Sequence, residues 1–240
     1  MNLLTNQIRN KTELFAAWLE KIPDEGGLIL IDKDEGWTSF DIIRKLRNLL
    51  KIKKIGHAGT LDPLATGLMI VAVGKATKQL NFIQNDDKQY TGLIKLGAST
   101  PSYDRETEES EFADISDLDE KVILANRDNF LGELEQFPPV YSAVKYQGKR
   151  AYEFARKKID IELQPRNVTI FQFEILSLDN PFLEFKIDVS KGFYVRTFAF
   201  DFGHSLRIPS YLYSLKRTRV GEYFLKDAVK LDEIEDLLAK

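Results

Sequence analysis

The sequence predicts a single α+β domain that contains much antiparallel sheet. Three observations support this fold class: several stretches have helical apolar spacing, other short segments alternate apolar and polar residues, and no internal repeat or Pro/Ser-rich linker divides the 240 residues. A chain of this length can bury a proper hydrophobic core. No stretch approaches 18 uninterrupted apolar residues, so we expect no membrane span.

The first third of the chain alternates predicted helices and strands. An N-terminal helix is expected to begin at an Asn10 cap, because Glu13 follows three residues later, and to end at the turn 23–27. A helix at 37–50 carries an apolar stripe and a Thr38 cap. The other elements predicted here are a strand at 28–31, a loop at 56–67, a strand at 68–73 and a helix at 76–83.

The rest of the chain is predicted to contain strands and two further helices. Strands are expected at 89–96, 168–178 and 183–189, of which the last two alternate apolar and polar residues. Helical spacing predicts a helix at 194–206 and a closing helix at 231–238. These assignments leave most of the segments 97–167 and 207–230 without a predicted element.

Composition excludes several classes of function. The chain has no cysteine, which excludes thiol catalysis, disulfides and Cys-ligated zinc, including the zinc route by which deaminases modify nucleobases. Its two histidines, His57 and His204, are far apart and show no metal-binding or catalytic-triad spacing. No secretory signal is evident at the N-terminus, so we expect a cytoplasmic protein.

Charge is segregated along the chain, although the formal net charge of -3 argues, if anything, against a nucleic-acid partner. Segments 41–59 and 145–158 each carry six Lys or Arg against one acid, whereas 104–135 carries twelve Asp or Glu against three basic residues. The basic residues are Arg44, Lys45, Arg47, Lys51, Lys53 and Lys54 in the first segment, Lys145, Lys149, Arg150, Arg156, Lys157 and Lys158 in the second, and Arg105, Lys121 and Arg127 in the acidic one. Such segregation predicts one basic and one acidic face, although solvated helix faces explain it equally well.

The loop at 56–67, with the sequence GHAGTLDPLATG, is the most informative segment. Its glycines permit positive φ angles, and Pro63 pushes Asp62 away from the helical region, so a carboxylate is presented from a stiff turn. The residues alone leave two interpretations open, a nucleophile and a carboxylate that caps the next segment, and they favour the cap. A phosphate-binding loop ending at 74–77 is set aside because Met69 stands where that motif requires glycine.

This twelve-residue loop closely resembles the catalytic motif of the TruB family of tRNA pseudouridine synthases. Three further segments resemble the family's other motifs, in the same order along the chain. They are DKQY at 87–90 with LGAST at 96–100 and Asp104, PPVYSAVK at 138–145 with Gly148, Arg150, Ala151 and Tyr152, and SKGFYVRT at 190–197 with DFG at 201–203 and LKRTRVG at 215–221. The stretch 101–107 departs from the family's pattern, which leaves the local turn unpredicted.

The resemblance implies the pseudouridine synthase fold, an α+β fold with a mixed, largely antiparallel central sheet flanked by helices and loops. It implies a catalytic domain at 27–240 that follows an N-terminal helical extension at 1–26. Only 19 residues follow Gly221, too few for the C-terminal RNA-binding (PUA) domain of many relatives. We therefore expect no separate PUA domain, and we expect the basic segments to supply most phosphate contacts.

The resemblance also implies the site residues. Asp62 is the expected catalytic aspartate, Tyr90 is expected to stack on the target base, and Arg196 is expected to pair with Asp62 and hold it ionised. The further substrate-binding residues expected are His57, which would fill space vacated in the RNA, Lys78, which would contact the RNA backbone or support the site, Leu215, which would line the uracil pocket, and Tyr194. The residues expected on the RNA backbone are Lys53, Lys54, Lys145, Lys149 and Arg150.

The implied activity is conversion of the T-loop uridine of tRNA, position 55 in tRNA numbering, to pseudouridine without a cofactor or metal. The expected partner is the T-arm stem-loop of tRNA, with no membrane, and the chain is expected to act as a monomer. The target base must be flipped out of the RNA loop, at a cost of roughly a few kcal/mol. Two alternatives are a non-catalytic tRNA-binding or folding chaperone on the same fold and, suggested only by the many Asp and Glu residues, a glycoside hydrolase with paired carboxylates.

Overall fold

The computed structural model describes residues 3–4 and 12–239. The side chains of residues 12–14 and the predicted Asn10 cap lie outside the described residues. The chain divides into two compact units, a first unit of Met1–Tyr90 with Lys216–Lys240 and a second unit of Thr91–Leu215.

Fourteen strands and seven α-helices occur in the part of the chain that the structure describes. The strands are β1 (Leu3–Leu4), β2 (Gly27–Lys33), β3 (Ile55–His57), β4 (Thr66–Val73), β5 (Lys88–Leu96), β6 (Ala98–Ser99), β7 (Glu111–Phe112), β8 (Gly132–Gln136), β9 (Lys145–Tyr146), β10 (Lys149–Arg150), β11 (Arg166–Asp179), β12 (Phe182–Val189), β13 (Ser210–Val220) and β14 (Tyr223–Phe224). The α-helices are α1 (Thr12–Glu25), α2 (Ser39–Leu50), α3 (Leu80–Ile83), α4 (Glu120–Arg127), α5 (Ala151–Ala155), α6 (Val195–Ser205) and α7 (Leu231–Leu238).

The first unit is built on a mixed sheet. β2 and β3 both pair with β4 in antiparallel register, whereas β1 runs parallel to β2 and the C-terminal part of β13 runs parallel to β4. β2 and β4 are buried along almost their whole length, which explains why their sequences read as continuous apolar runs rather than as alternating ones. The side chains that form this core include Leu28, Leu30, Leu68, Ile70, Ala72, Val220 and Tyr223.

Helix α2 begins at the predicted cap. The Thr38 hydroxyl accepts a hydrogen bond from the Asp41 backbone N–H at 3.0 Å, and the Asp41 carboxylate accepts one from the Thr38 backbone N–H at 3.2 Å. This reciprocal pair satisfies two backbone donors that the start of a helix leaves without helical partners. The helix buries Ile42, Ile43 and Leu46, as its apolar spacing predicts.

The second unit is built on a long antiparallel hairpin of β11 and β12, to which β8 adds along the first part of β11. Helix α6 covers this hairpin through aromatic side chains. The Phe173 ring lies 5.1 Å from the Phe198 ring and 5.6 Å from the Phe202 ring, measured between centroids, and Phe130 contacts both rings of the helix. Edge-to-face packing of this kind fixes α6, which carries Arg196 in its first turn.

The structure confirms the predicted fold class, because the sheet is mixed and most described strand pairs are antiparallel. The strands predicted at 28–31, 68–73, 89–96, 168–178 and 183–189 and the helices predicted at 37–50, 194–206 and 231–238 are present, with ends within two residues of the prediction. No helix among the described residues is long and apolar enough to cross a membrane.

Two local predictions are wrong, and one helix runs further into its predicted terminal turn than expected. Helix α1 continues through Pro23 to Glu25 and ends at Gly26, whose φ of 72° and N–H bond to the Ile22 carbonyl, at 2.9 Å, terminate it. The predicted helix at 76–83 is instead a 3₁₀ segment, Gly74–Gln79, followed by the short α3. Within the 3₁₀ segment the Thr77 hydroxyl donates to the Gly74 carbonyl at 2.8 Å. The predicted loop at 56–67 is a loop only at 58–65, since both of its ends belong to strands.

Candidate active site

Asp62 lies in the connection between β3 and β4 in the first unit. The Ala65 N–H donates to the Asp62 carbonyl at 3.1 Å and closes a tight turn around Pro63. Next to it, the backbone N–H of Leu61 donates to the Ser39 hydroxyl at 3.0 Å, and that hydroxyl donates to the Leu61 carbonyl at 3.2 Å. The turn that presents the carboxylate is therefore anchored to the first residue of α2.

Lys33 provides a buried positive charge at this turn. The Lys33 side chain is fully buried, and its Nζ donates to the carbonyls of Trp37 at 2.7 Å, Asp34 at 3.0 Å and Pro63 at 3.2 Å. Burial lowers the pKa of Lys33 to about 8, and the negative charge of Asp62 opposes this shift. Below that pH the ammonium group is charged, so a positive charge lies beside Asp62.

Arg217 of β13 braces both ends of the same loop. The side chain is only 1% exposed; its Nε donates to the Leu68 carbonyl at 2.7 Å, and its Nη2 to the Gly59 carbonyl at 3.4 Å. Gly67 allows the backbone of β13 to come this close, because a Cβ at Gly67 would lie 2.4 Å from the Arg217 carbonyl oxygen. The loop is thus held from α2, from the end of β2 and from β13.

His57 and Lys78 also belong to the first unit. His57 is half-buried at the end of β3, where it leads into the loop that carries Asp62. The pKa of His57 lies below its ordinary value, mainly because the ring is buried, and the positive charge of Arg217 adds to this shift. A hydrogen bond with the Gly59 backbone opposes the shift only in part, so the ring is mostly neutral at pH 7. Lys78 is exposed in the 3₁₀ segment Gly74–Gln79.

Tyr90 is 8% exposed and is the last residue of the first unit, on β5. The preceding residue is anchored to β13, because the Thr218 hydroxyl donates to the Gln89 side-chain oxygen at 3.0 Å. Lys53 and Lys54 are exposed just before β3, and the Lys54 carbonyl accepts a hydrogen bond from the Gly74 N–H at 2.8 Å. The first unit therefore contains the predicted residues Asp62, His57, Lys78, Tyr90, Lys53 and Lys54.

Arg196 lies in the second unit and is almost completely buried, with 4% of its surface exposed. Its Nη1 lies 3.6 Å from the Asp104 Oδ2 and donates to the Ser102 carbonyl at 3.3 Å. The Ser102 hydroxyl in turn donates to the Asp104 Oδ1 at 2.6 Å, and the Glu106 N–H donates to the same oxygen at 2.9 Å. This network holds the guanidinium group in one orientation.

The remaining predicted residues are spread over the second unit. Tyr194 precedes α6, and its backbone N–H and carbonyl both bond the Gln136 side chain, at 2.7 and 2.9 Å. Leu215 is half-buried on β13. Lys145, Lys149 and Arg150 are exposed on the hairpin of β9 and β10.

Two charged residues that organise the loop, Lys33 and Arg217, were not predicted as site residues. The signal for Lys33 is a single cation at the end of a buried apolar run, and Arg217 occurs within the last motif without an assigned role. Among the described residues, no group of three or more His, Cys, Asp or Glu side chains is arranged to hold a metal ion.

Comparison with known proteins identifies the family. Residues 47–195 match the model of the TruB family pseudouridylate synthase (N terminal domain). The chain is 44% identical over 221 residues to tRNA pseudouridine synthase B of Chloroherpeton thalassium, and the alignment covers 90% of this chain and 92% of that protein. It is 43% identical over 221 residues to the protein of the same name from Flavobacterium johnsoniae, and that alignment covers 89% of this chain and 96% of the relative.

Solved structures show the same fold. A chain of the Cbf5-Nop10-Gar1 complex superposes with a TM-score of 0.70 and 27% identity over 89% of this chain, and one of the archaeal box H/ACA sRNP Nop10-Cbf5 complex with a TM-score of 0.66 and 25% identity over 92%. This chain spans 54% and 55% of the length of those two chains. The motif order, the fold and the family match agree, and the chain is a member of the TruB family of pseudouridylate synthases.

Proposed function

We propose that the chain is a tRNA pseudouridine synthase that converts the T-loop uridine, position 55 in tRNA numbering, to pseudouridine. The observation that carries this proposal is the similarity, at 44% identity over about nine-tenths of both chains, to a protein named tRNA pseudouridine synthase B. The braced loop around Asp62 supports it, because it supplies a rigidly presented carboxylate where the family's catalytic aspartate is expected.

The reaction is an isomerisation that needs no external oxidant or energy source. The bond between N1 of uracil and C1′ of ribose breaks, the uracil turns, and a bond between C5 and C1′ forms; C5 loses a proton and N1 gains one. The Asp62 carboxylate contributes either by covalent addition or by removal of a sugar proton that assists departure of the base. Both routes use the carboxylate form of Asp62, and Lys33 places a positive charge beside it.

Arg196 is proposed to pair with Asp62, and the support for this is the motif match together with the near-complete burial of the arginine. A bidentate guanidinium contact would hold the carboxylate both ionised and oriented. Within the second unit, the contacts of Arg196 with Asp104 and Ser102 limit its side-chain freedom. Less conformational entropy is then lost when it engages a further partner.

Substrate binding is proposed to combine base flipping with electrostatic attraction to the RNA backbone. Stacking of the flipped uracil on Tyr90 returns about 1–3 kcal/mol of the unstacking cost. Leu215 lines the uracil pocket, and Tyr194 binds the substrate. Lys78 contacts the RNA backbone or supports the site, and His57 fills the space left in the RNA loop. The exposed cations Lys53, Lys54, Lys145, Lys149 and Arg150 contact phosphates of the T-arm, and the protein acts as a cytoplasmic monomer, in a catalytic domain at 27–240.

Tritium release from C5-labelled uridine in a tRNA transcript tests the proposal. The proposed reaction releases one tritium per tRNA, because only the T-loop uridine loses its C5 proton. A transcript with cytidine at that position is the matched control and should release none. Tight binding of the tRNA without tritium release would instead favour the alternative of a non-catalytic tRNA chaperone.

A further inference from the structure

Arg105 is the first of the three basic residues in the acidic segment 104–135, and its side chain is held in one position in the second unit. Its Nε donates to the Tyr213 carbonyl at 2.6 Å, and its guanidinium carbon lies 4.9 Å from the centroid of the Tyr213 ring. The side chain nevertheless remains exposed to solvent. A hydrogen bond and a cation–π contact to the same residue therefore give an exposed arginine a defined orientation.

Tyr213 is itself braced by neighbouring aromatic residues. The ring of Phe182 meets it at an angle of 60°, with centroids 4.8 Å apart, and the ring of Tyr211 lies 6.4 Å away. Tyr211 is held in turn, because its hydroxyl donates to the Glu109 carboxylate at 2.7 Å. Arg105 thus rests on a supported aromatic surface rather than on a mobile side chain.

This surface lies on the same face of β13 as Leu215. Side chains two residues apart on a strand point to the same side and are separated by roughly 7 Å. The contact between the rings of Tyr211 and Tyr213 is consistent with this alternation. Since Leu215 is proposed to line the uracil pocket, the Arg105–Tyr213 pair lies about one nucleotide away from the target base, and this step rests on the proposed function.

We propose that Arg105 and Tyr213 form a stacking platform for an unpaired base adjacent to the target uridine. Planar guanidinium groups and aromatic rings are surfaces on which proteins stack bases of RNA loops. The charge next to Arg105 favours a base over a phosphate as the ligand, because the neighbouring Glu106 is exposed and its carboxylate repels the RNA backbone. The platform gives the enzyme a second contact with the RNA loop and so contributes to substrate selection.

The test is a mutant cycle between the protein and T-arm RNA hairpins. Three hairpins are compared: the intact one, and two in which the nucleotide on the 5′ or the 3′ side of the target uridine is abasic. Hairpin affinity and kcat/KM for tritium release are measured for the wild type, Arg105→Gln, Arg105→Lys and the control Arg127→Gln. Arg127 is a partly exposed arginine at the end of α4 in the same acidic segment, and its guanidinium group pairs with Asp128.

Arg105→Gln is expected to lower the affinity and kcat/KM for the intact hairpin about tenfold. On the abasic hairpin that lacks the stacked base, the same substitution should lower both quantities less than about twofold. Arg105→Lys should behave like Arg105→Gln, because it keeps the charge but loses the planar surface. Arg127→Gln should leave both the affinity and kcat/KM unchanged on all three hairpins. Equal losses on all three hairpins, rescue by lysine, or no loss at all would overturn the platform.

The two proposals fail in different ways in this experiment. Absence of tritium release by the wild type from both the intact hairpin and the full tRNA transcript overturns the proposed function, while the binding measurements still decide whether Arg105 is coupled to a neighbouring base. Normal tritium release with no such coupling overturns the platform alone.

Discussion

Lys33 places a positive charge beside Asp62 at some cost in stability. Its folded pKa of about 8 lies below its ordinary value of 10.5, because burial penalises the charged form. Between these two values the unfolded chain holds a proton on Lys33 that the folded chain has released. The contribution of Lys33 to the free energy of unfolding therefore rises as the pH rises from about 8 towards 10.

Substitution of Lys33 by methionine isolates this effect. We expect the free energy of unfolding of the wild type, minus that of Lys33→Met, to increase by up to about 1.4 kcal/mol per pH unit between about pH 8 and pH 10. Urea unfolding at a series of pH values measures it, and Lys75→Met, which removes an exposed lysine, is the control. A difference that stays constant or falls over this range contradicts the assignment.

Single residues were predictable from the sequence where a motif or a constrained turn marked them. Asp62 was identified in this way, although the residues alone favoured a capping role and only the accompanying motifs reversed that interpretation. Lys33 and Arg217 escaped prediction as site residues because several of their partners are backbone carbonyls, those of Pro63 and Gly59 in the loop and that of Leu68 in β4. Every residue has a backbone carbonyl, so the sequence does not indicate which carbonyl a buried cation will bond.

At the scale of elements, the connection between β3 and β4 depends on a close approach of two backbones. Gly67 has a φ of 94°, and a Cβ there would lie 2.4 Å from the Arg217 carbonyl oxygen and 3.0 Å from its nitrogen. Backbone atoms of a paired strand cannot move aside without breaking the pairing of β13 with β4. The position therefore excludes a side chain for two reasons, conformation and space.

Gly132 provides a matched comparison, because its φ is 93° but nothing lies within 4 Å of an added Cβ. Gly132→Ala should cost about 1–2 kcal/mol, from backbone strain alone. Gly67→Ala should cost at least about 2 kcal/mol more, because it also separates the two strands and loosens the loop that carries Asp62. Urea unfolding of both variants gives the comparison, and similar losses would show that the contact with Arg217 does not constrain the loop.

Elements with a simple apolar period were predicted to within two residues, whereas β13 was not assigned. The sequence of β13, SYLYSLKRTRV, carries three Lys or Arg residues among its eleven, and one of these, Arg217, is buried. A buried cation breaks the apolar pattern by which a strand is identified. The two glycine-bearing ends of the loop were likewise assigned to the loop, because glycine is an indicator of turns rather than of strands.

At the scale of the whole molecule, the segregated charge decides how a chain with a net charge of -3 can bind RNA. Lys53, Lys54, Lys145, Lys149 and Arg150 are exposed, as the proposed phosphate contacts require. Each phosphate contact contributes close to one unit to the dependence of log K on log salt concentration. The slope of log K against log salt concentration therefore reports how many of these cations contact RNA phosphates.

Removal of two cations should reduce that slope by up to about two. We expect Lys53→Ala/Lys54→Ala to weaken tRNA binding at low salt and to flatten its salt dependence, measured by titration between 50 and 200 mM salt. Lys121→Ala/Arg127→Ala removes the same charge from the acidic segment and serves as the control. An equal change of slope in both double variants would indicate a general charge effect instead of local contacts.

The fold class and the family were predictable because both rest on patterns distributed along the whole chain. Helical and alternating periodicity indicated α+β, and the four motifs fall in both compact units. The division into the two units was not predictable, because the first unit combines the N-terminal 90 residues with the C-terminal 25, and such pairing depends on tertiary contacts. The domain boundary proposed at residue 27 stays a prediction.

The central claim is that Asp62 performs the chemistry in a tRNA pseudouridine synthase. Tritium release from C5-labelled tRNA by Asp62→Asn tests it most directly, because asparagine keeps the shape of aspartate and removes its charge. We expect release to fall at least about a thousandfold, with tRNA affinity unchanged, while Asp117→Asn, which neutralises an exposed carboxylate, keeps wild-type turnover. Turnover by Asp62→Asn at the wild-type rate would contradict the assignment of the catalytic carboxylate.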